Sequence, residues 1–66
     1  MPRVGQQVVI AFLAERAAGT VESVDPDARQ LQVVTDHGDV LTFRLNTASG
    51  RFVSTDPSRA QLYFEP

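Results

Sequence analysis

His37 is the only histidine of the 66-residue chain, and it sits in the run Asp36-His37-Gly38-Asp39. An imidazole beside carboxylates is the raw material of a general base or a metal ligand. The chain has no second histidine and no cysteine, so a histidine cluster, a thiolate zinc site and a redox pair are excluded by count. A Ser-His-Asp triad would need Ser23, Ser49, Ser54 or Ser58 against His37, with a third group and oxyanion donors behind them. A chain this short has little structure to organise such a site. Asp25, Asp27, Asp36 and Asp39 would suit calcium if their loops met at one end of the molecule, although each also belongs in a turn for local backbone reasons. Pro26 and the lack of a Gly-pivoted loop exclude an EF-hand. Gly5, Gly19, Gly38 and Gly50 are scattered and form no phosphate-cradling motif. The expectation is therefore no catalytic residue, no metal, no cofactor and no enzyme.

The arginines carry the remaining chemistry. Arg44, Arg51, Phe52 and Tyr63 make a guanidinium and aromatic set of the kind that contacts a protein partner or single-stranded nucleic acid. Six basic residues, all arginine, stand against eight acidic ones for a net charge of -2. That balance opposes binding to a phosphate backbone and favours a protein partner. A small RNA- or DNA-binding protein using Arg44, Arg51 and Tyr63 is the alternative.

These side chains must be positioned by short β-branched or aromatic runs punctuated by turns, the pattern of a small sandwich or barrel. The first strand is expected over Gln7 to Leu13, with Val8, Ile10 and Phe12 on one face and Val9, Ala11 and Leu13 on the other. A helix over residues 8 to 18 competes, because Val8, Val9, Phe12, Leu13 and Ala17 share a helical stripe and Gly19 would cap it. The β-branched run Val8-Val9-Ile10 favours the strand. Thr20 to Val24 follows, where Val21 and Val24 break strict alternation and predict a bulge. Asp25-Pro26-Asp27-Ala28 and Asp36-His37-Gly38-Asp39 then read as hairpin turns. Between and after them, Leu31 and Val33, and then Leu41, Phe43 and Leu45, form inward rows. A short apolar piece from Arg51 to Ser54 follows the Thr47 to Gly50 turn. Ala60 to Glu65 closes the series, with Leu62 and Phe64 on one face and Gln61, Tyr63 and Glu65 on the other.

Val4-Gly5-Gln6-Gln7-Val8, Gly19-Thr20-Val21-Glu22-Ser23-Val24-Asp25 and the two hairpins resemble the SH3-like small barrel shared by Tudor, KOW and Sm-like domains. The stretch from Gly19 to Asp25 is similar to the first Sm motif. The Asn expected shortly after Asp25 is replaced by Pro26-Asp27-Ala28-Arg29, and the second Sm motif is absent, so the resemblance assigns no RNA-base pocket. Ala60-Gln61-Leu62-Tyr63 is similar to the Val-Gln-Ile-Tyr motif of plasmid-borne dihydrofolate reductases, barrels that assemble a shared pore. That family uses a lysine in the pore, and this chain has none.

The expectation is one domain, residues 1–66, an all-β SH3-like barrel of five to six antiparallel strands. A chain of this length buries only about 60% of its unfolded surface. Without disulfides, association is the natural supplement to so small a core. The outward apolar positions Val9, Leu13, Val34 and Val40 predict self-association, making the protein a non-catalytic interaction or assembly module. The N-terminal residues lack the pattern of a signal peptide, and the apolar run from Val8 to Ala14 is too short to cross a bilayer. A soluble, cytoplasmic protein without a membrane partner is expected, and arginine without lysine suggests a GC-rich bacterial genome.

Overall fold

In the computed structural model, which describes residues 2–64, six strands follow one another: β1 (Gln7–Ala11), β2 (Arg16–Asp25), β3 (Gln30–Thr35), β4 (Val40–Asn46), β5 (Arg51–Ser54) and β6 (Gln61–Phe64). Each pairs antiparallel with the next, and β6 returns to β1 to close the barrel. The architecture is all-β and compatible with the SH3-like small barrel. Glu65, expected at the end of the closing strand, lies outside the described residues.

Residues 8 to 18 are not helical. Val8 and Ile10 pair with Gly19 and Ala17 across the β1–β2 hairpin, so alternate residues of both strands enter the core, as the β-branched run favours. The first strand is shorter than expected because the Phe12 N–H donates to the Glu15 carbonyl at 2.8 Å and turns the chain after Ala11. Strand β2 consequently begins at Arg16 rather than Thr20. Gly19 lies inside β2, not at a helix end. A Cβ there would stand 2.7 Å from Val33 Cγ1 and 3.0 Å from the Val34 carbonyl oxygen, so the absent side chain is what lets β3 and Ile10 close over β2.

The break in alternation at Val21 and Val24 is a bulge. Val21 faces Val33, Ser23 faces Gln32, and Glu22 is the extra residue. An extra residue shifts the side-chain phase by one, so Val21 and Val24, three apart, both point inward: Val21 is buried and Val24 packs against the core.

The turns have local causes. At Asp25-Pro26-Asp27-Ala28 the Asp25 carboxylate accepts the Ala28 N–H at 3.2 Å. The backbone bond closes one residue later, from Arg29 N–H to the Pro26 carbonyl at 3.3 Å, with Arg29 at φ +52°. At the next tip Gly38 takes φ +88°, a conformation open to glycine. The buried Thr35 hydroxyl oxygen accepts the His37 and Asp39 N–H groups there.

The core consists of Val8, Ile10, Val21, Leu31, Val33, Phe43, Phe52, Ala60 and Leu62, with Phe12, Ala17, Val24, Leu41 and Leu45 packed against it. The inward rows read from the sequence are these residues, apart from Phe64, which is 36% exposed at the barrel's end. No helix among the described residues is long and apolar enough to cross a membrane.

Candidate functional site

Closing the barrel commits the inner face of every strand to the core, which leaves the outer wall and the loops to make contacts. Register fixes what the wall displays. On one side Tyr63, Val9 and Ala18 are cross-strand neighbours in sequence β6–β1–β2, and one level along Gln7, Thr20, Val34 and Val40 run across β1–β2–β3–β4. None of these seven side chains is charged. Gln7 Nε2 donates to Thr20 Oγ1 at 3.2 Å, so the amide is tied down along the wall.

Three of the four positions expected to mediate self-association therefore share one strip. Val9 and Val34 are half-buried by their neighbours, while Val40 remains 53% exposed. Leu13 is not on the wall. It stands fully exposed at the apex of the β1–β2 turn, two residues beyond the end of β1.

The arginine and aromatic set is only partly assembled. Arg44 Nη2 donates to Gln30 Oε1, its cross-strand neighbour, at 3.3 Å. The Arg51 guanidinium lies 4.9 Å from the centroid of the Tyr63 ring, within cation–π range, and the Tyr63 hydroxyl donates to Gln61 Oε1 at 3.2 Å. Phe52 does not belong to this surface. It is 7% exposed, because alternation along β5 sends Arg51 and Val53 outward and Phe52 and Ser54 inward. Its ring meets Phe64 edge-on, with centroids 6.0 Å apart and planes at 84°. The contact sits at the end of the barrel, with Phe52 inside and Phe64 partly exposed.

Beside Arg44 lies a shallow depression of about 360 Å³, lined by Arg44 and Asn46 of β4, Val53 and Ser54 of β5, and Thr55 and Arg59 of the following loop. Arg59 was not singled out by the sequence. It reaches this place because its backbone takes φ +52°, unusual for a side chain of its size, with its N–H donating to the Asp56 carbonyl at 3.2 Å.

The loop that presents Arg59 is stitched by hydroxyls. Ser54 Oγ donates to Asp56 Oδ1 at 2.8 Å and accepts the Ala60 N–H at 2.8 Å. The Ser58 hydroxyl and N–H also donate to Asp56 Oδ1. These bonds, the Ser58 hydroxyl's first and the Ser54 hydroxyl's second, hold the Asp56 carboxyl below its ordinary value, because each favours the charged form. The Asp56-Pro57-Ser58 run is a legible turn, but the buried Ser54 that anchors it is specified only by the alternation of β5.

The other chemistries considered do not converge. The tips carrying Asp25 and Asp27, and Asp36 and Asp39, lie at opposite ends of β3, about 20 Å apart at the rise of an extended strand. No group of three or more potential metal ligands occurs among the described residues. Ser23 Oγ donates to Gln32, Ser49 Oγ accepts from the Arg51 N–H, and Ser54 and Ser58 serve Asp56. Each serine hydroxyl thus has a partner near its own strand or turn, and none of these is His37. Comparison of the chain with protein-family models, with curated proteins and with solved structures finds no significant match.

Proposed function

We propose that the chain is a non-catalytic interaction module of the SH3-like barrel type, which associates with a second copy of itself through the uncharged strip of the wall. The observation that carries this reading is the side-by-side placement of Val9, Ala18, Thr20, Val34 and Val40 across four strands. Adjacent apolar outward positions form a contiguous patch, which a scattering of single residues would not. Charged groups are depleted at the centres of interfaces, and this strip has none. Light scattering over a range of protein concentrations tests the reading. The molar mass should rise above the monomer's, and Val40→Asp should return it to the monomer by placing a carboxylate in the apolar contact. A monomer at every concentration would sink the proposal.

A second reading, single-stranded nucleic-acid binding by Arg44, Arg51 and Tyr63, is favoured by the Arg51–Tyr63 stack, which presents a planar cation and an aromatic on one face. It loses Phe52. Affinity for an oligonucleotide that falls with salt and with Arg44→Glu is its signature; unchanged affinity in that variant would end it. The pore-enzyme resemblance rests on Gln61 and Tyr63, which bond to each other on the outer wall, and it requires a tetramer. A molar mass below a tetramer's at every concentration would remove it.

A further inference from the structure

Arg44 and Arg59 come from different elements, a central strand and a loop, yet they line the same depression. Two arginines among the residues lining one depression suit an oxyanion, since each guanidinium offers a fork of N–H donors. No carboxylate lines it. The neighbouring acid, Asp56, has its Oδ1 engaged by the Ser54 and Ser58 hydroxyls and the Ser58 N–H. Arg44 is partnered by a neutral amide, Gln30, so an incoming anion displaces no ion pair there.

The rest of the lining selects among anions. Asn46 adds a neutral amide, the Thr55 hydroxyl being given to the Thr42 carbonyl, and Val53 and Leu45 add apolar surface. No aromatic ring lines the depression, so a nucleic-acid base entering it has nothing on which to stack. Tyr63 is occupied by Arg51 and Phe52 is inside the barrel. Small concave volume, two cations and an aliphatic floor match a side-chain carboxylate and its methylenes.

Resting on the interaction-module reading, we infer that the Arg44–Arg59 depression binds the carboxylate of an acidic peptide segment in a protein partner, at a place separate from the self-association strip. The hydroxyl network of the Ser54–Ser58 loop holds the Arg59 backbone beside the depression.

The test is an amide and arginine side-chain NMR titration of the full chain with a hexaglutamate peptide, alongside inorganic phosphate and oligothymidine. Saturable shifts are expected at Arg44, Asn46, Thr55 and Arg59, with affinity falling about tenfold in Arg44→Gln and in Arg59→Asn, the loss expected for one charge-assisted hydrogen bond. Asn tolerates a left-handed backbone, so Arg59→Asn removes the guanidinium while keeping the loop. Unsaturable binding, shifts centred elsewhere, or unchanged affinity in both variants overturns the inference. Tighter binding of oligothymidine at these residues replaces the peptide with a nucleic acid, and equal binding of phosphate reduces the site to a generic anion hole; either result overturns the peptide assignment. Val40→Asp should bind the peptide as the parent does, so failure of self-association and failure of this site are read separately.

Discussion

Between β2 and β3 six residue pairs face each other, from Gly19 with Thr35 to Asp25 with Gln30, whereas β5 and β6 share one, Val53 with Gln61. The connections differ in the same sense. Each of the first four turns spans four residues, while residues 55–60 separate β5 from β6. A short hairpin fixes register by itself. The longer connection does not, and side chains take over that task at the seam: the Ser54–Asp56–Ser58 network at one end, the Phe52–Phe64 edge contact and the Arg51–Tyr63 stack at the other. One half of the barrel is held by a backbone ladder over buried aliphatics. The β5–β6 seam is held by side-chain contacts instead, and the depression lined by Arg44 and Arg59 lies beside it.

This contrast predicts where substitutions act globally and where locally. The largest loss should come from Phe43→Ala in β4, whose ring is fully buried. About 3–5 kcal/mol is expected for removing such a ring, read as a lower urea midpoint in which the whole barrel unfolds together. Survival of the β2–β3 ladder after loss of the seam alone would show that the halves are not one cooperative unit.

Gly19→Ala comes next. The added methyl meets Val33 Cγ1 and the Val34 carbonyl oxygen at 2.7 and 3.0 Å, and about 1–3 kcal/mol is expected for overpacking at a site that cannot give way. If stability is unchanged, β3 is not as closely held to β2 as the ladder implies.

At the seam, Ser54→Ala removes the acceptor of the Ala60 N–H and one donor to Asp56. A cost of about 1–2 kcal/mol follows from leaving a buried N–H without a partner. Hydrogen exchange should quicken first at Ala60, with the β2–β3 amides the last affected. Uniform acceleration across all six strands would erase the distinction between the two halves.

The pH dependence carries a sign. Asp56 binds its proton less readily folded than unfolded, so its contribution is full above the ordinary carboxyl value near 3.8 and is lost as pH falls through the lowered folded value. The urea-midpoint gap between the parent and Asp56→Asn should therefore narrow on acidification. A gap that is flat with pH would mean that the carboxylate's charge does not hold the loop. The smallest effect is expected for Arg51→Ala, about 0.5–1 kcal/mol for an exposed cation–π contact. It should be visible as a changed Tyr63 ring environment.

Much of the architecture was written in local pattern. The inward rows of β3 and β4, the Asp25-Pro26 and Asp36–Gly38 turns and the bulge between Val21 and Val24 all follow from alternation and turn chemistry, which act over a few residues. The stretch from residue 8 to 18 was the ambiguous element, because its short apolar run fits a helical stripe as well as a two-faced strand, and only the β-branched Val8-Val9-Ile10 favoured the strand. Pairing settled it: Val8 and Ile10 have partners on both sides, in β2 and in β6, and a helix could not have closed the barrel.

The surface was less legible. Alternation alone could have removed Phe52 from the arginine face, since it is out of phase with Arg51. That Val9, Val34 and Val40 share a strip required knowing which strands are neighbours and in what register. That Arg44 and Arg59, fifteen positions apart, border one depression depended on a loop whose course is set by a buried serine and a left-handed backbone. The amino-acid sequence by itself determined the strands, their turns and the side of each strand that is apolar, because those depend on propensity and on a period of two. Only the tertiary structure decided which outward side chains meet, because adjacency on a barrel wall is fixed by closure and register between residues far apart in the chain.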